Sequence, residues 1–195
     1  MPLSLDGERV RFMRDIYFVR HSIQDLSVQD DASAPLTKAG HVLAKELTRL
    51  FTNKSITAIY SSPYARAFQT VLPTAEKLDL IIDTHADLRE RQAIWRVDWQ
   101  EHLANLWQDF ELKADGEESL ADVERRIVPA FQQIYDDTEG NIIITGHGTA
   151  LGVLFYHLTH GQFTFSDWQN MNMPDVYIGH FSDKNVFVGL EKIAR

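Results

Sequence analysis

Three short runs rich in β-branched and aromatic residues, Ile16–Val19, Ile56–Tyr60 and Asn141–Thr145, are each followed by a stretch with helical character. That alternation constrains the chain more than any other feature. Apolar runs of this length read as strands buried on both faces, and strands separated by helices imply a mostly parallel sheet layered by helices. The first run leads through a polar loop to Thr37, an N-cap candidate for a helix carrying Val42, Leu43, Leu47, Leu50 and Phe51 on one face. The second passes into Ser61-Ser62-Pro63, where Ser62 is expected to cap a helix running to about Leu78 and Pro63 to occupy its first position.

Further along, Leu80–Asp83 is a strand candidate, and Trp95, Trp99, Leu103, Leu106 and Phe110 recur at helical spacing. Ser119-Leu-Ala-Asp122 resembles a helix start for a segment reaching about Tyr135, and Ala150–Leu158 is apolar enough for a buried helix. Val176–Phe181 and Val186–Leu190, around Ser182-Asp183-Lys184-Asn185, predict a hairpin. The expected architecture is therefore a three-layer α/β/α fold with a mostly parallel central sheet and an antiparallel C-terminal edge hairpin. No internal repeat or Gly/Pro/Ser linker divides the chain, so residues 1–195 are expected to form a single domain, with residues 1–14 as an N-terminal extension.

Composition narrows the function. Cysteine is absent, which removes disulfides, thiol nucleophiles and thiolate metal sites. The first fifteen residues carry Arg9, Arg11 and Arg14 but no apolar core of the roughly 7–15 residues that a secretory signal needs, so a cytoplasmic protein is expected. The most apolar stretch, Thr149–Leu158, is interrupted by Gly152 and His157 and is far shorter than the roughly 20 residues that span a bilayer. A formal charge of −9 disfavours nucleic acid as a partner and requires any anionic ligand to find a local cationic pocket.

That pocket can be located. Ile16–Val19 runs into Arg20-His21, and Asn141–Thr145 into Gly146-His147-Gly148. Ligands of open α/β sheets bind beyond the carboxyl ends of the strands, so both histidines are expected there. Arg66, one turn into the helix after Ile56–Tyr60, would reach the same rim, where free N–H groups of the helix N-terminus add positive potential. Two arginines, two histidines and a helix end suit a doubly ionised phosphate monoester.

Tyr17-Phe-Val-Arg-His-Ser22, Ser61-Ser-Pro-Tyr-Ala-Arg-Ala-Phe-Gln-Thr70 and Thr145-Gly-His-Gly148 resemble, in order and spacing, the signature segments of the histidine phosphatase (phosphoglycerate mutase-like) superfamily. Leu36-Thr37-Lys-Ala-Gly40 and Gly116-Glu-Glu-Ser119 with Arg126 resemble its secondary motifs, so the likeness runs from about Asp15 to Leu158. The resemblance implies a metal-independent, cofactor-free phosphatase in which His21 attacks phosphorus and becomes a phosphohistidine, while Arg20, Arg66 and His147 hold the oxygens. It also implies a carboxyl group that protonates the leaving alkoxide and then activates water. Glu90, in Asp87-Leu-Arg-Glu90, is the candidate, with Asp98 and Glu101 as alternatives. Residues 89–118 or so fall where the family inserts a cap, and one or more rings between Trp95 and Phe110 are expected to shape the leaving-group site.

Two departures stand out. Ser22 replaces the glycine that usually follows the nucleophile, adding a Cβ expected beside the phosphate, and Arg91-Gln-Ala-Ile-Trp95 replaces the Gly and Trp common after the acid. The substrate class is a small phosphorylated molecule or phosphopeptide. Phosphoryl transfer of the phosphoglycerate mutase type, or a catalytically weak phosphate-binding or interaction module, are the competing readings. His157-x-x-His160 has a metal-like spacing but no third ligand, and no metal is expected.

Overall fold

The computed structural model describes residues 12–193. Arg9, Arg11 and most of the expected N-terminal extension lie outside them. The elements are β1 (Phe12–Arg20), α1 (Lys38–Phe51), β2 (Ile56–Ser61), α2 (Ala65–Leu78), β3 (Ile82–Thr84), a 3₁₀ turn (Ala86–Leu88), α3 (Trp99–Gln108), α4 (Leu120–Asp136), β4 (Asn141–Gly146), α5 (Gly148–Leu158), α6 (Phe165–Gln169), β5 (Asp175–Ser182) and β6 (Phe187–Lys192). They form one six-stranded sheet in the order β3-β2-β4-β1-β5-β6. The pairings β3·β2, β2·β4 and β4·β1 are parallel, while β5 and β6 add the antiparallel edge read from the tail.

Period-2 alternation along β1 shows why the sheet is layered on both faces. Ile16 and Phe18 pack with Val123, Ile127 and Phe131 of α4 and Leu151, Leu154 and Phe155 of α5. Tyr17 and Val19 pack on the other face with Leu47 and Phe51 of α1 and Val71 and Ala75 of α2. Each Val, Leu, Ile or Phe among them, fully buried, contributes about 1.5–3 kcal/mol. Thr37 caps α1 through its side chain, and Ser119 and Asp122 close a reciprocal capping box on α4.

Three local expectations are corrected. Ser62 does not cap α2. The helix begins at Ala65 with Tyr64 as its N-cap, because Ser62 extends the sheet ladder by donating its N–H to Thr145 O (2.9 Å). The helix sought from Trp95 to Phe110 is confined to Trp99–Gln108. Before it, the N–H groups of Gln92 and Ile94 are taken by the carboxylates of Glu118 and Glu117 at 2.9 and 3.2 Å, which holds that stretch outside a helix. And β1 starts at Phe12, inside the stretch set aside as an extension. The short helix α6 had no periodic signal in the sequence.

Register places the chemistry. Arg20 sits opposite Gly146, and Ser61 opposite Thr145, so the carboxyl ends of β1, β2 and β4 finish side by side.

Candidate active site

His21 follows the last residue of β1 and is still tied to the sheet, its N–H donating to Gly146 O at 3.0 Å. Its ring is set by the next residue: Nδ1–H donates to the Ser22 carbonyl at 2.7 Å, leaving the lone pair on Nε2. Arg66 donates Nε–H to that lone pair at 3.3 Å. Burial, aided by the positive charges of Arg66 and Arg20 and opposed by the Ser22 carbonyl, lowers the His21 pKa to about 3. At neutral pH the imidazole is therefore uncharged.

His147 lies with its ring centroid 5.2 Å from that of His21. It is fully buried, and desolvation holds its pKa well below the ordinary histidine value. Nε2 pairs with Ser62 Oγ at 2.8 Å, while Nδ1 has no hydrogen-bond partner among the described residues. Arg20 donates Nη1 to the Met171 carbonyl at 2.7 Å, and its buried Nε likewise has no partner among the described residues. Gly148 permits this placement, because a Cβ there would stand 3.0–3.1 Å from the Arg20 guanidinium. The structure thus brings Arg20, His21, Arg66 and His147 together.

The helix end behaves differently from expectation. The Tyr64 N–H goes to Ser62 Oγ at 3.2 Å and the Ala65 N–H to the Ala32 carbonyl at 2.9 Å, so these two groups of the α2 N-terminus are not free. Arg66, in turn, directs both terminal nitrogens at Asp31: Nη1 at its carbonyl and Nη2 at Oδ1, the latter at 3.0 Å.

Glu90 reaches the same rim from the far side. Its Oε2 accepts the Thr149 N–H at 3.0 Å, and its Oε1 accepts those of Ala150 (3.0 Å) and Arg91 (2.7 Å), so the carboxylate covers the start of α5 just after His147. It also supports the charge on Arg20, which burial works against. Arg126 fixes the loop that carries it, donating to the carbonyls of Asp87 (2.6 Å), Arg89 (3.0 Å) and Glu90 (3.2 Å) while gripping both oxygens of Glu118. That explains the Gly116–Ser119 segment with Arg126 as a brace. Asp98 is exposed and paired with Arg96 at 2.7 Å, and Glu101 is exposed on α3.

Ser22, which replaces the glycine expected after the nucleophile, is tied into the frame of the site. It is fully buried, its φ is not positive, its hydroxyl donates to Gly40 O at 2.9 Å, and its N–H donates to Thr70 Oγ1 at 2.9 Å. Thr70 and Ser62 therefore belong to the site's frame, as does Tyr64, whose ring packs edge-on against His147 (5.1 Å) and beneath the Arg66 guanidinium (5.1 Å). All three stand in the middle motif, but only the fold reveals which atom each one holds.

Two recesses flank the pocket. One, of about 220 Å³, is lined by Arg20, Trp99, Phe165, Trp168, Met171 and Met173. The other, of about 720 Å³, lies between the loop after the nucleophile and Trp95, with Leu26, Val28 and Asp31 in its wall. Trp107 takes no part, being packed among Phe110, Tyr156, Phe163 and Phe165. His157 pairs with Glu124 at 2.9 Å. Among the described residues no three His, Cys, Asp or Glu side chains gather as a metal site requires, and no helix is long and apolar enough to cross a membrane.

The model of the histidine phosphatase superfamily (branch 1) matches residues 16–188. The chain belongs to the histidine phosphatase superfamily. A relative from Hydrogenobacter thermophilus named "Putative phosphoserine phosphatase 2" is 26% identical over 161 residues, covering 75% of this chain and 79% of that protein. Among solved structures, Bacillus stearothermophilus YhfR superposes with a TM-score of 0.75 at 24% identity, covering 90% of this chain and 94% of that one. A mycobacterial glucosyl-3-phosphoglycerate phosphatase gives 0.72 at 18% identity, covering 92% and 96%. At these identities the structural likeness speaks for the fold: a mixed sheet with helices on both sides, as this chain has.

Proposed function

We propose that this chain is a phosphatase that hydrolyses phosphate monoesters of small phosphorylated molecules through a phosphohistidine on His21. The observation that carries the reading is a neutral, buried His21 whose Nε2 lone pair meets only the Arg66 Nε–H at 3.3 Å, flanked by two buried nitrogens, Arg20 Nε and His147 Nδ1, that lack partners among the described residues. Three equatorial phosphate oxygens would supply those partners and draw on Arg66 as well. Phosphatases among the named relatives favour water over a sugar acid as the acceptor.

In this reading Nε2 of His21 attacks phosphorus, the P–O ester bond breaks opposite it, and the alkoxide takes a proton from the Glu90 carboxyl. Glu90 then accepts a proton from water as its oxygen attacks the phosphohistidine, releasing inorganic phosphate and restoring both groups. Charge spread over the equatorial oxygens meets preplaced cationic and N–H donors, which supply most of the acceleration. Glu90 is preferred to Asp98 and Glu101 because it reaches the rim, whereas Asp98 is drawn to Arg96. Residues 89–118 serve as a cap, and Trp99 offers the leaving group an aromatic wall. None of these steps calls for a metal or cofactor, and the protein is expected to work in the cytoplasm on diffusible substrates.

The test is hydrolysis of p-nitrophenyl phosphate with His21→Ala as control, plus acid quenching of the labelled reaction. Turnover should fall by more than about 10³-fold in the variant, and acid-labile phosphate should be trapped on His21 in the wild type. A wild type no faster than His21→Ala, or label found on another residue, would sink the mechanism.

A further inference from the structure

Arg66 is 2% exposed, yet its two terminal nitrogens face away from the nucleophile and toward Asp31, whose side chain is 57% exposed. Only Nε–H is directed at His21. The partner is placed deliberately. Asp30 closes a turn by accepting the N–H groups of Ser33 on Oδ2 (3.2 Å) and Ala34 on its carbonyl (3.0 Å). The turn is fastened to α2 by Ala65 N–H to Ala32 O (2.9 Å) and by Leu36 N–H to Gln69 Oε1 (2.8 Å). Asp31 is thus held against the end of Arg66 by hydrogen bonds that do not involve its own carboxylate.

We propose that Asp31 is a positioning residue for the phosphate clamp: its carboxylate and carbonyl grip the end of the Arg66 guanidinium so that the Nε edge faces the reacting phosphoryl group. This rests on the phosphatase reading above. A guanidinium is planar, with five donors in a fixed fork, so anchoring its two terminal nitrogens fixes the direction of the third. Four rotatable bonds would otherwise leave Arg66 free to turn, and an ångström of misplacement in such a site costs of order 10²-fold in rate. The opposite role is conceivable on charge alone, because a carboxylate at this spot could compete with the phosphate for Arg66. The two roles predict opposite signs.

The test compares wild type, Asp31→Ala, Asp31→Asn, Arg66→Ala and Asp31→Ala/Arg66→Ala, measuring orthophosphate binding by titration calorimetry and kcat and KM with p-nitrophenyl phosphate. The Asp31 side chain is more than half exposed and its carbonyl survives substitution, so these variants should fold. Asp31→Ala should weaken orthophosphate and lower kcat, each by roughly 10-fold or more. Asp31→Asn should recover part of both through its amide oxygen, and Asp31→Ala should add little once Arg66 is gone, since it acts through Arg66. Tighter orthophosphate binding by Asp31→Ala, no change, or an undiminished loss in the Arg66→Ala background would overturn the proposal. Should the wild type hydrolyse no ester while orthophosphate binding follows the expected pattern, the phosphatase reading would fail and the assignment of Asp31 would stand.

Discussion

In the proposed reading, the phosphate side and the leaving-group side of this pocket are built on opposite principles. His21, Arg66 and His147 are 4%, 2% and 0% exposed, and His21 and His147 follow directly on the ends of neighbouring strands. In the recesses beside it, Trp95 is 88% exposed, Leu26 81% and Trp99 50%, and they stand on loops or on the short helix α3. A clamp for one invariant chemical group gains from being fixed before the ligand arrives. A wall that meets a variable alcohol is left to solvent and to sequence drift.

If the rigid side does the chemistry, its losses should be steep. Glu90→Gln keeps an amide oxygen to cover part of the α5 N-terminus but cannot deliver a proton. It should slow alkyl phosphates by about 10²–10⁴-fold while costing far less with p-nitrophenyl phosphate, whose leaving group needs little protonation. An equal loss with both substrates would mean that Glu90 only props up α5. Gly148→Ala comes next. Its Cβ would meet the Arg20 guanidinium at 3.0–3.1 Å, so Arg20 must shift, and kcat/KM should drop by about 10²-fold with the thermal midpoint little changed. Unaltered kinetics would show that the Nε of Arg20 does not face the phosphate.

The same asymmetry decides what could be read from the sequence. Strand runs such as Ile16–Val19, buried on both faces, leave a continuous apolar signal bounded by polar residues, and the motif residues stand directly after those runs, where Arg20 lies opposite Gly146. Arg20, His21, Arg66 and His147 were therefore legible as a group. Asp31 was not, because its place depends on a turn closed by Asp30 and docked onto Ala65, contacts 33 residues apart that carry no period. Likewise Ser62 has the chemistry of an N-cap, yet the sheet and His147 claim it. Trp95 and Trp107 look equivalent in sequence, but one is exposed and the other sits in an aromatic cluster.

A smaller effect follows from the buried histidines. His21 titrates near 3 in the folded protein against 6.5 in the open chain, and His147 is displaced in the same direction. Between those values the unfolded chain holds a proton at His21 that the native state does not, so this contribution is full above about pH 6.5 and falls as pH drops toward 3, by at most about 1.4 kcal/mol per pH unit, and His147 acts in the same direction. Urea midpoints measured from pH 7 to pH 5 should decline in the wild type, and less steeply in His21→Asn, which has no proton to take up there. Parallel curves would show that His21 is not neutral and buried in solution.

The least disruptive changes probe the soft side. Trp99 lines the recess that opens on Arg20, together with Trp168 and Met171, whereas Trp95 borders the wider recess behind Asp31. An aromatic contact with a leaving group is worth about 0.5–1.5 kcal/mol, so Trp99→Ala should shift the preference between aryl and small alkyl phosphates by roughly two- to tenfold in kcat/KM. Trp95→Ala, removing a ring already in water, should shift it less. Substitution on this wall should move the ranking of substrates while leaving orthophosphate inhibition, a property of the clamp alone, where it was. If both variants fold and keep the wild-type ranking, the alcohol is not seated against either tryptophan. If orthophosphate inhibition weakens too, clamp and wall are mechanically joined through the Met171 carbonyl that holds Arg20, and the division between a fixed and an adaptable side is drawn in the wrong place.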